Sequence, residues 1–445
     1  MGRRSHARSL SIWANGERVG TWTLPSRGPV ELRYDPAWQA SPAGRPLSLS
    51  LPFTGARPLQ GERVQNYFEN LLPDSEPIRR RIATRFKTRG IDAFELLQAI
   101  GRDCVGAVQL LGEDDIPGNV ERIEAEALTD EDVERLLARI GTDAAPGERA
   151  SRDDLRISIA GAQEKTALLW HEGRWMRPHG ATPTTHILKL PLGLVGQRRA
   201  DFSTSVENEW LCMQLLAEFG LPVPASAVLR FGNQKVLGIE RFDRQFHPSG
   251  TWWMRLPQED FCQARGVPPH LKYESDGGPG LADIAGVLVG SVRAEHDLAT
   301  VLKAQLLFWM LAAPDGHAKN FSLRLLPQGR YALTPLYDVM SIWPVEGDGG
   351  AQYSWHKAGL AMGLVGKHKH YRLRDVQRRH FNITAARYFH RDSAEDLIRD
   401  VLERVPGAID GVAARLPKEF PERVATGILE GLRKSARMLE RMPSV

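Results

Sequence analysis

Cysteine is scarce in this chain, which has three cysteines in 445 residues. Cys104, Cys212 and Cys262 lie far apart, and none belongs to a C-x-x-C or cysteine–histidine spacing. This arrangement argues against a structural zinc site. Because an odd number of cysteines cannot all pair within one chain, the sequence predicts a protein of a reducing compartment.

Long apolar runs are also missing, since no stretch approaches the roughly 18 apolar residues that a membrane-spanning helix needs. The basic start of the chain leads into an apolar segment that is too short for the core of a signal peptide. Lysine and arginine number 58 against 54 acidic residues, and the net charge of +4 is too small to indicate nucleic-acid binding by itself. We therefore expect a soluble cytoplasmic protein that does not contact a membrane.

The composition is that of a globular protein, with 42% hydrophobic and 25% charged residues, and the length favours two or three domains. Strand-like alternation is common in the first half and helical periodicity dominates the second, which predicts an α+β fold class. We expect an N-terminal α+β subdomain, a connector, a strand-rich region and a helical lobe. The predicted boundaries of these four regions are 1–115, 116–150, 151–245 and 246–445.

Several local patterns support this division. Asn15-Gly16 separates two alternating runs and predicts a β-hairpin. The segment LSLSLPF at 47–53 alternates again and indicates extended structure. Residues 204–219 predict a helix with a clear end signal. Residues 298–313 are apolar almost all round and predict a buried helix.

The strongest chemical signal is the segment DGHAKN, in which Asp315 and Asn320 directly follow the predicted buried helix. Protein kinases use this D-x-x-x-x-N spacing, with an aspartate that accepts the proton of the attacking hydroxyl and an asparagine that holds a metal ion. Aspartate and asparagine are also common turn residues, so the spacing alone is a weak signal. Asp338, at the end of the apolar run LTPLYD, supplies the second metal-binding carboxylate that a kinase needs.

Lys189 lies in the apolar run HILKL, where a buried ammonium group needs a partner. Kinases place such a lysine on a strand of the smaller lobe, paired with a glutamate of a helix. The helix that follows offers Glu207 and Glu209, and the sequence does not decide between them. The alternative is an edge-strand lysine that faces water.

The segment SIAGAQEKT at 158–166 lies between two strand patterns, at 157–159 and 166–170, and its small residues would let the backbone approach phosphate oxygens. It is not a Walker A loop, because no glycine precedes Lys165 and a strand pattern follows. We interpret it as a strand–turn–strand flap over a phosphate, with an ordinary hairpin turn as the alternative.

Two further segments give weaker signals. ERFDR at 240–244 ends a strand where two lobes should join. Its backbone groups are suited to hydrogen bonding with the edge of an adenine. The alternative is that the segment is simply a charged strand end. Arg79-Arg80-Arg81 opens a basic cluster. This cluster is suited to nucleic-acid phosphates, although a solvated helix face is the simpler interpretation.

Together these segments resemble the HipA family, the serine/threonine-kinase toxins of bacterial toxin–antitoxin pairs. The resemblance extends over essentially the whole chain, and the combination of segments is specific although no single segment is. The segments that carry it are FENLLPD (68–74), SIAGAQEKT (158–166), HILKLP (186–191), ERFDR (240–244), DGHAKNFS (315–322) and YDVMS (337–341). It implies a two-lobed, kinase-like fold similar to that of lipid kinases. An N-terminal α/β subdomain and a C-terminal all-helical subdomain would enclose an ATP cleft.

The resemblance also implies roles for individual residues. Asp315 would be the catalytic base, and Asn320 and Asp338 would coordinate Mg²⁺. Lys189 would contact the phosphates of ATP, and His317 would lie near them.

Further implied roles belong to the strand-rich region 151–245, which would bind the nucleotide. Glu240 and Phe242 would lie at the adenine. Ser158 would be an autophosphorylation site, and its phosphorylation would hold the phosphate turn away from the nucleotide and inactivate the kinase. The residues of that turn would be Ala160, Gly161, Ala162, Gln163, Glu164 and Lys165.

The partners implied by the resemblance are a HipB-like helix-turn-helix antitoxin and, through the antitoxin complex, operator DNA. The protein substrate would be an aminoacyl-tRNA synthetase, which is glutamyl-tRNA synthetase in the best-known case. Two alternatives stay open. One is a small-molecule kinase, and the other is a non-catalytic co-repressor that acts with an antitoxin on DNA.

Overall fold

The computed structural model describes residues 8–140, 158–161, 163–196 and 199–444. The first part contains five strands and four helices. They are β1 (Arg8–Ala14), β2 (Glu17–Leu24), β3 (Glu31–Tyr34), α1 (Pro36–Ala40), β4 (Leu59–Gln60), α2 (Glu62–Glu69), α3 (Glu76–Phe86), α4 (Ala93–Ile100) and β5 (Gln109–Gly112). The strands form one antiparallel sheet in the order β4-β3-β2-β1-β5. The predicted hairpin is confirmed, because Asn15 and Gly16 both have positive φ and join β1 to β2.

The core of this part lies between its sheet and its helices. Trp22 of β2 is fully buried and stacks on Phe68 of α2 with ring centroids 3.9 Å apart. The segment 47–53 forms no strand, contrary to its alternating pattern. Its serines instead donate hydrogen bonds across the molecule, from Ser48 and Ser50 to the carbonyl oxygen of Gln263 at 3.1 and 2.7 Å.

The second part is built on a six-stranded sheet, which includes its first strand. Its elements are β6 (Ala125–Ala127), α5 (Asp130–Ile140), β7 (Lys165–His171), β8 (Arg174–Pro178), β9 (His186–Lys189), β10 (Gly193–Val195), β11 (Ala200–Phe202), α6 (Ser205–Glu218), β12 (Ser226–Phe231) and β13 (Gln234–Glu240). Six strands pair in the order β12-β13-β9-β7-β8-β6. Because β9 is central in this sheet, Lys189 is not an edge-strand lysine. Ile157 of the strand expected at 157–159 lies outside the described residues, and Ser158 and Ile159 are not in a strand.

The third part carries six further helices and seven strands. They are β14 (Arg244–Phe246), β15 (Trp253–Arg255), β16 (Gln258–Asp260), α7 (Phe261–Arg265), α8 (Leu281–Leu288), α9 (Ala294–Met310), β17 (Ser322–Leu325), β18 (Tyr331–Leu333), β19 (Gly359–Val365), β20 (Lys369–Arg372), α10 (Arg378–Tyr388), α11 (Glu395–Ala413) and α12 (Glu422–Arg441). The buried helix predicted at 298–313 is α9, most of which is inaccessible to solvent.

The expected all-helical character of this lobe is wrong. β16, β17 and β18 form a three-stranded sheet, and β14–β15 and β19–β20 form hairpins. The segments on either side of the turn Pro327–Gly329 alternate in polarity and pair as the hairpin β17–β18. This local pattern favours strands within a lobe that is otherwise mainly helical. Among the residues that the structure describes, no helix combines the length and apolar character needed to cross a membrane.

A buried ionic network joins all three parts. The carboxylate of Asp103, just after α4, lies 2.9 Å from Arg244 and 3.1 Å from Arg255, and it also reaches Arg241. Asp243 pairs with Arg241 at 2.8 Å. Burial opposes the ionisation of Asp103, but the charges of Arg244, Arg255 and Arg241 outweigh it and hold its pKa below the usual range. The end of β13 is therefore anchored on the N-terminal part.

Replacing Asp103 by Ala is expected to lower the free energy of unfolding by about 3–5 kcal/mol. The buried Arg255 would lose the carboxylate with which it pairs, and Arg241 and Arg244 would be left with Asp243 alone. Urea denaturation of the full chain at pH 7 measures the effect, and Asp114→Ala, at an exposed position, is the control. The Asp103 carboxylate stabilises the fold only while it is ionised. The difference in free energy of unfolding between the two variants should therefore shrink as the pH falls below about 4. Equal stability of the two variants at pH 7 would contradict the network's role.

Candidate active site

A cleft of about 410 Å³ opens between the N-terminal part, the six-stranded sheet of the second part (the central sheet) and the third part. Most of the residues singled out from the sequence line it: Ala160, Gly161, Gln163, Lys165, Lys189, Glu240, Phe242, Asp315, His317, Asn320 and Asp338. Glu164 points elsewhere, to an ion pair with Arg81 of α3. Ser158 is buried beside the cleft, and Ala162 lies outside the described residues.

The loop after α9 folds back on itself and holds Asp315 and Asn320 together. The carbonyl oxygen of Asp315 accepts hydrogen bonds from the side-chain amide of Asn320 at 2.7 Å and from the backbone N–H of His317 at 2.8 Å. Because the Asn320 nitrogen is committed to this bond, its amide oxygen is the atom suited to a metal ligand. The carboxyl group of Asp315 is 47% exposed. The loop therefore presents a carboxylate and an amide oxygen to the same cleft.

Asp338 faces this loop from a strained position. Its φ of 61° lies in the left-handed region, which is uncommon for a residue with a side chain. The side-chain amide of Asn320 lies 3.5 Å from the backbone carbonyl of Asp338. Burial opposes ionisation of the Asp338 carboxyl group, but the charges of Lys189 and Lys165 dominate and hold its pKa well below the usual range. Asp338 is therefore a carboxylate at neutral pH.

Lys189 connects the central sheet to Asp338 and to α6. Its ammonium group donates to Glu209 at 2.7 Å and to Asp338 at 2.8 Å. Burial alone would lower the pKa of Lys189, but these two carboxylates raise it above its usual value, so the ammonium group stays charged. Glu207 pairs instead with Lys235. The structure thus selects Glu209 from the two glutamates that the sequence left open.

Lys165 lies beside Lys189, because the two residues are paired across β7 and β9. Gly161 has a φ of 115°, a backbone conformation that residues with a side chain rarely adopt and that favours glycine, and the ammonium group of Lys165 lies close to its Cα. Burial and the neighbouring charge of Lys189 lower the pKa of Lys165 to about 8. The cleft therefore contains two adjacent lysines, which is an arrangement suited to a polyanion.

The segment that carries Ser158 rests on the N-terminal part. Ser158 is fully buried, and its hydroxyl donates to the carbonyl oxygen of Leu71 at 2.8 Å. The backbone N–H of Asp74 donates to the carbonyl oxygen of Gly161 at 3.1 Å. With the ion pair between Glu164 and Arg81, these contacts hold the segment against the N-terminal part beside the cleft.

The opposite end of the cleft is apolar. Phe242, just after β13, lies 5.7 Å from Tyr337 between ring centroids, and the neighbouring walls come from Ile187 and Ile239. Glu240 ends β13 and pairs in register with His186. This end has the character of a pocket for a flat heterocycle, with strand-end backbone groups at its rim.

Sequence reasoning missed three residues around the loop. Lys319 is buried and donates to the side-chain oxygen of Asn70 at 2.8 Å and to Asp260 at 2.9 Å, so it braces the loop against the N-terminal part. Lys272 pairs with Asp74 at 2.9 Å, and the Tyr273 hydroxyl donates to the Asp315 carboxylate at 2.5 Å.

These contacts join residues that are far apart in the chain, and no local spacing indicates them. His317 lies in the cleft as expected, with its Nδ1 buried and unpaired among the described groups.

The donor atoms of Asp338 and Asn320 fit a magnesium ion. Both are oxygens, which Mg²⁺ prefers, and the Asp338 carboxylate stays ionised in its surroundings. In kinases two such protein groups hold the metal together with phosphates and water. The two side chains would therefore supply the protein ligands of a magnesium ion, and a nucleotide and water would supply the others.

Known proteins are similar to this chain in sequence and in fold. Residues 10–111 match the HipA N-terminal domain, and residues 157–409 match the HipA-like C-terminal domain. The protein Y4mE of Sinorhizobium fredii, whose name proposes a kinase, is 36% identical over 341 residues, which are 75% of this chain and 77% of that protein. The serine/threonine-protein kinase toxin HipA of Shewanella oneidensis is 27% identical over 323 residues, 70% of either chain.

The fold is also that of a solved structure. In the complex of Shewanella oneidensis HipA with HipB and its operator DNA, one chain superposes with a TM-score of 0.77 at 21% sequence identity. The match covers 97% of this chain and 98% of that chain. The similarity therefore extends over the N-terminal part as well as the cleft.

Replacing Glu209 by Gln is expected to weaken the binding of MgATP about tenfold or more, because Lys189 would then be held by Asp338 alone and would draw that carboxylate away from a metal. Glu207→Gln is the matched control, since it removes a carboxylate from the same helix but its partner Lys235 does not line the cleft. Isothermal titration calorimetry on the full chain measures both affinities. Equal losses for the two variants would contradict the selective role of Glu209.

Proposed function

This chain belongs to the HipA family, and on that premise we propose that it is a Mg-ATP-dependent serine/threonine protein kinase, the toxin of a HipA/HipB-like toxin–antitoxin pair. The observation that carries the proposal is the meeting of Lys189, Asp338, Asn320 and Asp315 in one cleft. Relatives that are named as kinases support the enzyme class. We further propose that the protein acts in the cytoplasm.

The nucleotide would lie along the cleft, with its adenine at the apolar end beside Glu240 and Phe242. Its phosphates would then reach Lys189 and Lys165 under the turn at Gly161. Mg²⁺, when bound by Asn320 and Asp338, supplies neutralisation of the charge on the phosphate oxygens. The closed turn and the buried walls exclude water from the phosphates, which strengthens each of these electrostatic contacts.

Asp315 is suited to the role of base because its carboxylate is partly exposed to the cleft, whereas that of Asp338 is bound to Lys189. A serine hydroxyl placed beside it would give its proton to the carboxylate. Its oxygen would bond to the γ-phosphorus, and the bond from that phosphorus to the bridging oxygen of ADP would break.

The position of Ser158 supports its role in self-inactivation. In the closed arrangement its hydroxyl has no exposed surface and is bonded to Leu71. Phosphate transfer to Ser158 therefore requires the turn to leave the N-terminal part. A phosphate on Ser158 could not return to that buried site without losing its hydration, so the modified turn would stay open and ATP would lose its cover.

The proposed partners follow from the relatives. The Shewanella oneidensis protein is found with HipB and operator DNA, and we propose a corresponding helix-turn-helix antitoxin for this chain, with operator DNA bound through that complex. For the substrate we propose an aminoacyl-tRNA synthetase, with glutamyl-tRNA synthetase as the first to test. Phosphorylation of such an enzyme would stop translation.

Incubation of the full chain with radiolabelled ATP and Mg²⁺ tests the kinase proposal. We expect transfer to Ser158, identified by mass spectrometry, and no transfer to that position in Ser158→Ala. Asp315→Asn should lower the rate about 10²- to 10⁴-fold without lowering the melting temperature, because only the proton acceptor is lost. Absence of transfer by the wild-type chain, both to itself and to glutamyl-tRNA synthetase and other aminoacyl-tRNA synthetases, would refute the proposal.

Binding of ATP at pH 8 is expected to take up protons. Near this pH Lys165 is about half neutral, because burial and the charge of Lys189 lower its pKa to about 8. Phosphate charges favour the ammonium form, so up to roughly half a proton should enter with each nucleotide. Calorimetric titrations in buffers of different ionisation enthalpy measure the uptake. Lys165→Met should abolish it and Lys235→Met, outside the cleft, should not. An undiminished uptake in Lys165→Met would contradict contact with phosphate.

A further inference from the structure

Tyr273 contacts the proposed base directly, although no sequence pattern singled it out. Its hydroxyl donates to Oδ1 of Asp315 at 2.5 Å. Its ring packs edge-on against His317 with ring centroids 5.0 Å apart, and both side chains line the cleft. Tyr273 therefore lies in the cleft directly beside the Asp315 carboxylate.

The backbone and the carboxylate of Asp315 are held by different parts of the chain. Its carbonyl oxygen is fixed inside the loop by Asn320 and by the N–H of His317. Its carboxylate receives the hydrogen bond of Tyr273, which comes from outside the loop. Rotation of an aspartate carboxyl group about its last torsion is only weakly restricted, so a bond to one oxygen largely decides where the other oxygen points.

Tyr273 itself is held firmly, because its two neighbours are anchored in opposite directions. Lys272 forms an ion pair with Asp74 of the N-terminal part at 2.9 Å. Glu274 accepts a hydrogen bond from the backbone N–H of Gly363 in β19 at 2.7 Å, and it also pairs with Lys369 of β20. The segment 272–274 is thus anchored at both ends beside the loop 315–320.

We propose that Tyr273 is a positioning residue of the kinase reaction, which occupies Oδ1 of Asp315 and so directs Oδ2 toward the acceptor hydroxyl. This inference rests on the proposed function. Productive proton transfer needs the base within about 2.6–3.2 Å of the hydroxyl oxygen, and a displacement of about 1 Å costs on the order of a hundredfold in rate. The acceptor proton goes to Oδ2, and the Tyr273 proton stays in place.

The protonation state of Tyr273 agrees with this role. Burial, together with the charge of Asp315 and the hydrogen bond to it, raises the pKa of Tyr273 above its usual value. The hydroxyl is therefore a permanent donor at neutral pH, and it does not compete with Asp315 for the acceptor proton.

The test is Tyr273→Phe in the full chain, which removes only the hydroxyl group. The acceptor is a synthetic peptide of residues 152–166, which contains Ser158. We expect kcat to fall about ten- to a hundredfold while KM for ATP stays within about twofold, since the lost contact acts on the base and not on the nucleotide. Tyr331→Phe is the matched control, because its hydroxyl donates to the carbonyl oxygen of Val287 at 2.8 Å away from the cleft.

A double-mutant cycle separates positioning from structural damage. In an Asp315→Asn background, Tyr273→Phe should cause no further loss of rate, because Tyr273 acts only through that carboxylate. A kcat for Tyr273→Phe equal to or above that of the wild type would overturn the inference. So would a full additional loss in the Asp315→Asn background, or a fall in melting temperature that Tyr331→Phe does not show. The proposed function is tested separately, by the rate of the wild-type chain.

Discussion

The ammonium group of Lys189 is buried between two carboxylates, and the rest of the cleft depends on this contact. A buried charge is tolerated only when it is paired, and here Glu209 and Asp338 supply the pairs at 2.7 and 2.8 Å. The three groups come from a central strand, a helix and a loop of the third part. The contact therefore joins the sheet to the segment that carries Asp338. It also keeps the Asp338 carboxyl group ionised, which a bound magnesium ion would require.

The N-terminal part contributes to the same cleft and is more than an appended domain. Asn70 bonds to Lys319 of the loop 315–320. Asp74 forms an ion pair with Lys272, and its backbone N–H donates to the carbonyl oxygen of Gly161. Asp103 anchors the end of β13 through arginines. These contacts place both ends of the cleft against one support. The opening that we propose for the segment with Ser158 would therefore change the surface between the first and second parts.

The sequence was informative wherever a function is encoded locally. The D-x-x-x-x-N spacing placed Asp315 and Asn320, and the apolar surroundings of Lys189 indicated a buried, paired lysine. The choice between Glu207 and Glu209 could not be made from sequence, because residues two apart on a helix point about 200° from each other. Only the packing of α6 on β12 and β13 shows which of them faces Lys189.

Contacts between distant segments explain the other differences between the expected and the observed secondary structure. The alternation at 47–53 is not a strand pattern, because Ser48 and Ser50 bond to Gln263 more than 200 residues away. Strong helical periodicity conceals most strands of the third part. The 18 residues from Asn320 to Asp338 do leave room for a short hairpin, which β17 and β18 form. No local pattern could have indicated that Tyr273 reaches Asp315.

We propose that a nucleotide, a metal ion and an acceptor hydroxyl meet in this one cleft. A crystal structure of the full chain with Mg²⁺ and a non-hydrolysable ATP analogue is the direct test. We expect a metal ion about 2.0–2.1 Å from oxygens of Asn320 and Asp338, with the γ-phosphate between Lys189 and Asp315. A nucleotide bound elsewhere, or a metal ion held by other side chains, would contradict it.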